Sequence, residues 1–330
     1  MIFGIISLIM ENKTKYDHCE SVYWVFTQLC NDQCDHCYNL SGPRGERISE
    51  EECLAVIDNL PSSVDRLILS GGEPLAERKK LYLILDALKE RYGDRTQIML
   101  QTNGDLLTGE ILDTLIEKGV TRFDIASIDR FHKAQGARLM ELAELFDSRG
   151  VDGDEKDPLV EKDNYLQKGR LTWGFWGATE DMWLGGNWAR GRAMEKDIWL
   201  RDPDHNFCAI LSGAIGFLNG GDSIPQEISI QLWAVNPCCP GTKEAMGDAR
   251  TEKVADVLAR VAESPVFQML DLGDPYRMGE RVGVSEEYAR KRCAELGNVC
   301  LWCDEFFERF YDIRSLEPRA EEGYFKLPVV

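Results

Sequence analysis

The sequence predicts an α/β protein built on parallel strands, with a smaller subdomain appended behind them. Three observations carry this. Short apolar runs alternate with amphipathic stretches four times between Ser21 and Ser148, the rhythm of βα units joined by right-handed crossovers. A further aromatic strand, Leu171–Ala178, continues the series as an open or partial barrel would. From His205 onward the rhythm is lost, and short strands, turns and late cysteines replace it.

Ser21–Leu29 reads as the first strand. Ser49–Leu60 reads as a helix, with Ser49 as cap and Glu52 as its capping-box partner. Arg66–Leu69, Gln97–Gln101 and Arg122–Ile128 read as strands, and Leu75–Tyr92, Leu107–Lys118 and Lys133–Ser148 as the helices between and after them. Residues 151–166 are acidic and polar and read as a loop. A Gly/Trp/Arg-rich segment, Trp183–Ala193, succeeds the aromatic strand, and Thr251–Glu263 reads as an amphipathic helix of the appended part. Met1–Met10 is apolar but lacks a basic leader, and the Glu-Asn-Lys-Thr-Lys after it is no cleavage site, so it reads as a strand covering one end of the core.

The chain has 330 residues, of which 44% are hydrophobic and 29% charged, enough apolar material for a large core. Lys and Arg total 38 against 57 Asp and Glu, a net charge of −19. Such a field argues against holding nucleic acid or an anionic membrane. No apolar run reaches the roughly 20 residues of a membrane span. Eleven cysteines, an odd number without a secretory signal, do not read as a disulfide framework. Their tight clustering points to metal and to reduced thiols in the cytoplasm.

Cys30, Cys34 and Cys37 come after the first strand with the spacing C-x3-C-x2-C. Three thiolates can hold three irons of a [4Fe–4S] cube, leaving one iron open to a substrate or cofactor. The competing reading is a zinc site closed by His36. Gly71-Gly72-Glu73-Pro74 ends the second strand, Thr102-Asn103-Gly104 the third, and Ser127-Ile128-Asp129 the fourth. All fall on the rim where parallel barrels carry their function. The glycines permit close backbone approach, Glu73 can accept from an ammonium group, and Asn103, Ser127 and Asp129 suit ribose or amino-acid groups.

With these residues the chain resembles the radical S-adenosylmethionine (SAM) superfamily, through Cys30-x3-Cys34-x2-Cys37 and Gly71-Gly72-Glu73-Pro74. His36 departs from the aromatic residue that often stands there. The resemblance implies a partial (β/α)6 TIM-type barrel over residues 21–200, a short N-terminal extension over 1–20, and a small α+β subdomain over 201–330. It also implies that the open iron chelates SAM. Gly71, Gly72, Glu73, Pro74, Asn103, Ser127 and Asp129 would surround the cofactor. Reductive cleavage would then give a 5′-deoxyadenosyl radical that abstracts hydrogen from an unactivated carbon, with electrons from a flavodoxin- or ferredoxin-type donor.

Cys208, the Cys238-Cys239 pair and Cys300-x2-Cys303 extend the resemblance to the single-cluster twitch subdomain, a short relative of the SPASM extension. It implies a second [4Fe–4S] cluster on Cys208, Cys238, Cys300 and Cys303, with a four-thiolate zinc site as the alternative. The choice of Cys238 over Cys239 rests on that analogy. Cys239 is then spare. Together with the run Ser127-x-Asp129-x-x-His132 it makes the chain look like radical SAM peptide epimerases, whose donor cysteine quenches the substrate radical from the opposite face. The plain reading is a small buried hydrophobe, and Cys293 is a weaker donor candidate. Arg190 and Arg192 offer a carboxylate clamp or surface ion pairs, and Arg190 is taken as cofactor-binding. Trp173, Trp176, Trp183 and Trp188 read as core, His205 as a loop histidine, and Asp304, Glu305 and Glu308 as a solvated helix face.

Epimerisation of a peptide or small-molecule centre leads these readings. The rivals are a twitch-type dehydrogenase or thioether-forming maturase, with the second cluster as electron acceptor, and a non-catalytic metal-stabilised binding module. The short stretch before the first strand leaves no room for a leader-peptide domain. That favours a small substrate, or a peptide gripped directly or delivered by a partner, and the acidic field favours a cationic or neutral one.

Overall fold

The computed structural model describes residues 15–125, 135–153, 170–175 and 187–319. One open sheet organises them. Its strands are β1 (His18–Val25), β2 (Ser63–Ser70), β3 (Gln97–Thr102), β4 (Val120–Ile125), β5 (Asp152–Gly153), β6 (Thr172–Phe175), β7 (Glu227–Gln231), β8 (Ala234–Asn236) and β9 (Gly247–Asp248). Their spatial order is β5-β6-β4-β3-β2-β1-β7-β8-β9. Every neighbouring pair from β5 through β7 is parallel, and only the β7–β8–β9 meander is antiparallel. The fold is therefore a mixed α/β fold with a largely parallel sheet.

The crossovers are α1 (Glu50–Asn59), α2 (Arg78–Tyr92) and α3 (Gly109–Glu117), with α4 (Gln135–Asp147) after β4. The expected capping box is present at α1: Ser49 Oγ accepts from Glu52 N at 3.1 Å, and Glu52 Oε2 accepts from Ser49 N at 2.8 Å. The second expected helix starts later than its apolar pattern, because Pro74–Glu77 forms a tighter 3₁₀ turn first. The first strand is also shifted. It leaves the ladder at Val25, and Thr27 and Leu29 make isolated bridges to Arg47 and Gly42 instead.

Side chains alternate across the strands. Val22 and Trp24 of β1, Leu67 and Leu69 of β2, Ile98 and Leu100 of β3, and Phe123 and Ile125 of β4 share one large buried cluster with the helices. On the other face lie Tyr23, Val25, Ile68 and Met99, joined there by Cys239. The same face carries polar side chains that are all nearly sealed from solvent: Ser21, Arg66, Ser70, Gln97, Arg122, Asp124, Glu227 and Ser229. The first face is a hydrocarbon core, and the inner face is a polar one.

Beyond residue 200 the chain first rejoins this sheet, and later Tyr311–Asp312 and Glu317–Pro318 pair antiparallel as a separate two-stranded sheet. β7 adds to the free edge of β1, pairing Tyr23 with Ser229, and the β7–β8 hairpin is tied there by Leu232 N donating to Val25 O at 2.7 Å. Helices α6 (Val254–Ala262), α7 (Pro265–Asp271), α8 (Glu286–Leu296) and α9 (Val299–Arg309) come next, after a short α5 (Gly191–Glu195) earlier in the chain. The aromatic strand is described over Thr172–Phe175, and its expected end at Ala178, Met1–Met10, Trp176 and Trp183 lie outside the described residues. Among the described residues no helix is long and apolar enough to cross a membrane.

Leu100 sits on the hydrocarbon face of the central strand β3 with no exposure. Leu100→Ala is expected to cost about 2–5 kcal/mol, read as a lower guanidinium midpoint with an unchanged slope.

Candidate functional site

Because β1 to β4 are parallel, the segments at their carboxyl ends gather at one rim. The Cys30–Cys37 loop comes after β1, Gly71–Pro74 after β2 and Asn103 after β3. Ser127 and Asp129, with His132, lie outside the described residues, so the fourth motif is not placed.

Backbone hydrogen bonds bind the first two segments together. Gly72 N donates to Thr27 O at 2.7 Å and Glu73 N to Leu29 O at 2.8 Å. A Cβ on Gly72 would stand 2.4 Å from Leu29 O, a backbone atom that cannot turn aside. The glycines were expected to admit a ligand. What they admit first is the chain that leads into the cysteines.

Glu73 differs from expectation in the same sense. Its carboxylate is fully buried, and accepts from Leu75 N at 2.9 Å, Thr102 Oγ1 at 2.7 Å and Asn103 N at 2.7 Å. With three internal donors it braces the second rim segment against the third, rather than facing an ammonium group. Burial pushes its pKa up to about 7, although hydrogen bonds from Asn103, Thr102 and Leu75 pull the other way. Asn103 reaches the cysteine loop: its Nδ2 donates to Asn31 Oδ1 at 2.9 Å.

Within that loop Cys30 is buried and Cys34 and Cys37 are half-buried. Asp32 N donates to Cys30 Sγ at 3.4 Å and Ser41 N to Cys37 Sγ at 3.3 Å. Arg192 Nε donates to Cys34 O at 2.8 Å and Arg192 N to Cys37 O at 2.9 Å. Burial first, then Glu73 and Cys37, push the Cys30 thiol up to about 12, and burial, Asp32, Cys30 and Cys37 raise Cys34. Three soft sulfurs in one another's field, two of them already receiving N–H donors, suit a group that displaces thiol protons. They fit the three-thiolate ligand set of an iron–sulfur cube. Among the described residues no three His, Cys, Asp or Glu side chains are arranged as the ligands of one metal ion.

A second sulfur group forms in the C-terminal half. Cys300 and Cys303 lie three apart on α9, hence on one side of it. Asn298 caps that helix through Cys300 N at 2.8 Å, and Asn206 holds Cys208 N at 3.0 Å on a 3₁₀ turn. Cys208 is raised by burial and then by Cys303, Cys300 and Cys238; Cys303 by burial, Asp304 and Cys238; Cys238 up to about 12 by burial and Cys300. These four thiols therefore share one neighbourhood and have the donor chemistry for a second cluster.

Arg190 stands with this second group and not at the rim. Its Nη2 pairs with Asp304 Oδ1 at 2.9 Å and lies 3.4 Å from Cys300 O. Burial opposes its charge, but Cys300, Asp304, Cys303 and Cys238 outweigh that and raise its pKa. Asp304 and Glu305 likewise depart from the solvated face expected of them: Asp304 pairs with Arg190, and Glu305 accepts from Arg292 and Arg309. Glu308 remains on the surface, beside Lys243.

Cys239 parts from its neighbour. It is buried on the inner face, with Tyr38 OH 3.2 Å from its Sγ and Gln231 Nε2 donating to its carbonyl at 2.9 Å. Burial raises its pKa, so the sulfur is held as a thiol. Cys293 instead points at Pro203 O in the core. Trp188 packs edge-on against Tyr38, with centroids 4.8 Å apart, while Trp173 stacks on Phe146 in the core. The sequence reading missed Tyr23, Tyr38, Ser70 and Gln101. An alternating inner-face pattern marks three of them, and adjacency to Cys37 marks Tyr38.

Residues 24–129 match the family model described as the Radical SAM superfamily. Over these residues, about a third of the chain, the sequence is similar to the radical SAM superfamily. An AdoMet-dependent heme synthase of Methanosarcina barkeri is 40% identical over 114 residues, covering 33% of this chain and 30% of that protein. An uncharacterized Archaeoglobus fulgidus protein is 30% identical over 98 residues, covering 29% and 22%. The matches thus span less than a third of either curated relative. Among solved structures, BtrN with AdoMet and 2-DOIA covers 77% of this chain and 88% of its own at 16% identity and a TM-score of 0.44. Streptococcus suis SuiB with its precursor peptide SuiA covers 88% and 80% at 12% identity and a TM-score of 0.44. A radical SAM domain carries a SAM-binding [4Fe–4S] cluster and SAM, and here Cys30, Cys34 and Cys37 are the residues that would hold such a cluster.

Since burial raises Glu73 from 4.5 to about 7, folding favours its protonated form. Its contribution to stability should fall as pH rises from about 4.5 to about 7 and level off above. Guanidinium midpoints of the protein and of Glu73→Gln, taken across that window, are expected to converge in that sense with rising pH; parallel curves would refute it.

Proposed function

We propose that this chain is a radical SAM enzyme that epimerises a carbon centre of a peptide or small molecule, with Cys239 as hydrogen donor. The observation that supports it best is the split of the Cys238-Cys239 pair: Cys238 shares the field of Cys300, while Cys239 is buried on the inner face with Tyr38 OH 3.2 Å from its sulfur. When bound, the cluster and SAM supply a 5′-deoxyadenosyl radical. Gly72 and Glu73 hold the loop that presents Cys30, Cys34 and Cys37, and the near-sealed polar inner face keeps bulk water from a carbon radical. Cys239 breaks its S–H bond and gives the hydrogen atom to the substrate carbon. The domain reading is a partial barrel with a twitch-like part that begins near residue 201 and supplies Cys208, Cys238, Cys300 and Cys303. Ser127 and Asp129 stay assigned to the cofactor by motif alone.

The four-thiol group favours a second reading, in which an auxiliary cluster takes an electron from the substrate radical, as a dehydrogenase or thioether-forming maturase requires. A reduced ferredoxin- or flavodoxin-class donor and a cytoplasmic setting fit both readings, since all eleven cysteines are unpaired.

Anaerobic reconstitution tests the shared part. The protein should take up about eight irons, and Cys30→Ala/Cys34→Ala/Cys37→Ala about four, one cube fewer. The wild type with SAM and dithionite should release 5′-deoxyadenosine, and the triple variant none. Uptake of a single zinc ion per site in place of iron would end the proposal. Once a substrate is in hand, turnover in deuterated water separates the readings: one deuterium gained marks epimerisation, and two hydrogens lost marks dehydrogenation. Cys239→Ala should abolish product only in the first case.

A further inference from the structure

Five side chains on the inner face form one hydrogen-bonded line. Cys239 Sγ lies 3.2 Å from Tyr38 OH, and Tyr38 OH lies 3.2 Å from Tyr23 OH. Tyr23 OH donates to Ser70 Oγ at 2.9 Å, and Ser70 Oγ donates to Gln101 Oε1 at 3.1 Å. The amide oxygen at the end can only accept, and this sets the direction of the whole line. Ser70 spends its hydrogen on Gln101 and so accepts from Tyr23; Tyr23 accepts from Tyr38; Tyr38 accepts from the Cys239 thiol. Cys239, Tyr23 and Ser70 are each under 10% exposed, and Tyr38 and Gln101 are half-buried. Two phenols in series are more than a buried thiol needs, since a weak S–H donor is commonly buried without any partner.

A donor that gives away a hydrogen atom is left as a thiyl radical, and a second turnover requires that it be refilled. We propose that Tyr38 and Tyr23 form a hydrogen-atom relay that restores the Cys239 thiol. The inference rests on the reading of Cys239 as hydrogen donor. Once sulfur has lost its hydrogen, Tyr38 no longer accepts from it, and its own O–H turns to the sulfur. The Tyr38 O–H bond breaks and the Cys239 S–H bond forms, leaving a phenoxyl radical on Tyr38. Tyr23 passes its hydrogen to Tyr38 in the same way. The Tyr23 phenoxyl is closed by one electron from a reduced ferredoxin- or flavodoxin-class donor and one proton from water. Ser70 and Gln101 hold the Tyr23 oxygen in line and act as positioning residues.

The test needs SAM alone. Reconstituted protein in deuterated water, given SAM and dithionite without substrate, should release 5′-deoxyadenosine carrying one deuterium taken from the exchanged Cys239 thiol. Samples frozen during the reaction should show a tyrosyl radical by electron paramagnetic resonance, and its hyperfine structure should collapse in protein made with ring-deuterated tyrosine. In Tyr38→Phe the tyrosyl signal should be lost and a sulfur-centred signal should take its place. Tyr23→Phe should confine the radical to Tyr38, and Tyr82→Phe, on α2, should leave the spectrum unchanged. Deuterium that is absent, or unchanged in Cys239→Ala, overturns the donor reading and the relay with it. Deuterium that depends on Cys239, together with a tyrosyl spectrum that is missing or indifferent to Tyr38→Phe, overturns the relay alone.

Discussion

The rim depends on one buried carboxylate. Glu73 lies where a charge is costly, and three donors from two segments offset that cost. The consequence is geometric. Leu75 N fixes the segment after β2, Thr102 and Asn103 fix the segment after β3, and the backbone of Gly72 and Glu73 carries both to Thr27 and Leu29. The cysteine loop then hangs from Leu29 on one side and from Arg192 on the other. Three short loops, each weakly determined alone, become one rigid unit. A three-thiolate site needs this, because its open iron corner is useful only where the other three are fixed.

The polar inner face obeys a different rule. Parallel strands that bury both faces usually read as continuous apolar runs. Here Arg66, Arg122, Asp124 and Glu227 alternate with the apolar residues instead. Arg122 is satisfied by Asp124 at 2.9 Å and Thr172 at 3.1 Å, and Glu227 accepts from Ser21 at 3.0 Å. Buried charges of this kind contribute little net stability. They fit a lined interior that keeps its shape while holding polar partners.

Much of this was legible in the amino-acid order. The βα alternation marked the parallel strands, Ser49 and Glu52 marked the start of α1, and the cysteine and glycine motifs fell at strand ends as their spacing required. What escaped depended on contacts distant in sequence. Nothing near residue 227 says that β7 will add beside β1, because the pairing is chosen by an exposed edge some 200 residues earlier. Asp304 resembled a surface charge and Arg190 a cofactor-binding residue, until the fold paired them across 114 residues of sequence. The internal partners of Glu73 were not legible either, since a motif records the residue type and not the direction in which its carboxylate turns.

The adjacent cysteines show how little separates the two chemistries. Cys238 packs with the hydrocarbon core that also holds Cys208, Cys300 and Cys303, and Cys239 belongs to the inner-face cluster. The turn after β8 is anchored on both sides, by Cys239 N donating to Ser212 O at 2.9 Å and Gly241 N to Cys238 O at 3.1 Å. A slip of one residue would exchange the two thiols, placing Cys238 among the phenols and Cys239 beside Cys208, Cys300 and Cys303. Neither group could do the other's work, because ligation needs the proton removed while hydrogen-atom donation needs it kept. The register of one short hairpin, pinned to β1 through Leu232, therefore keeps the two thiols, and the two roles proposed for them, apart.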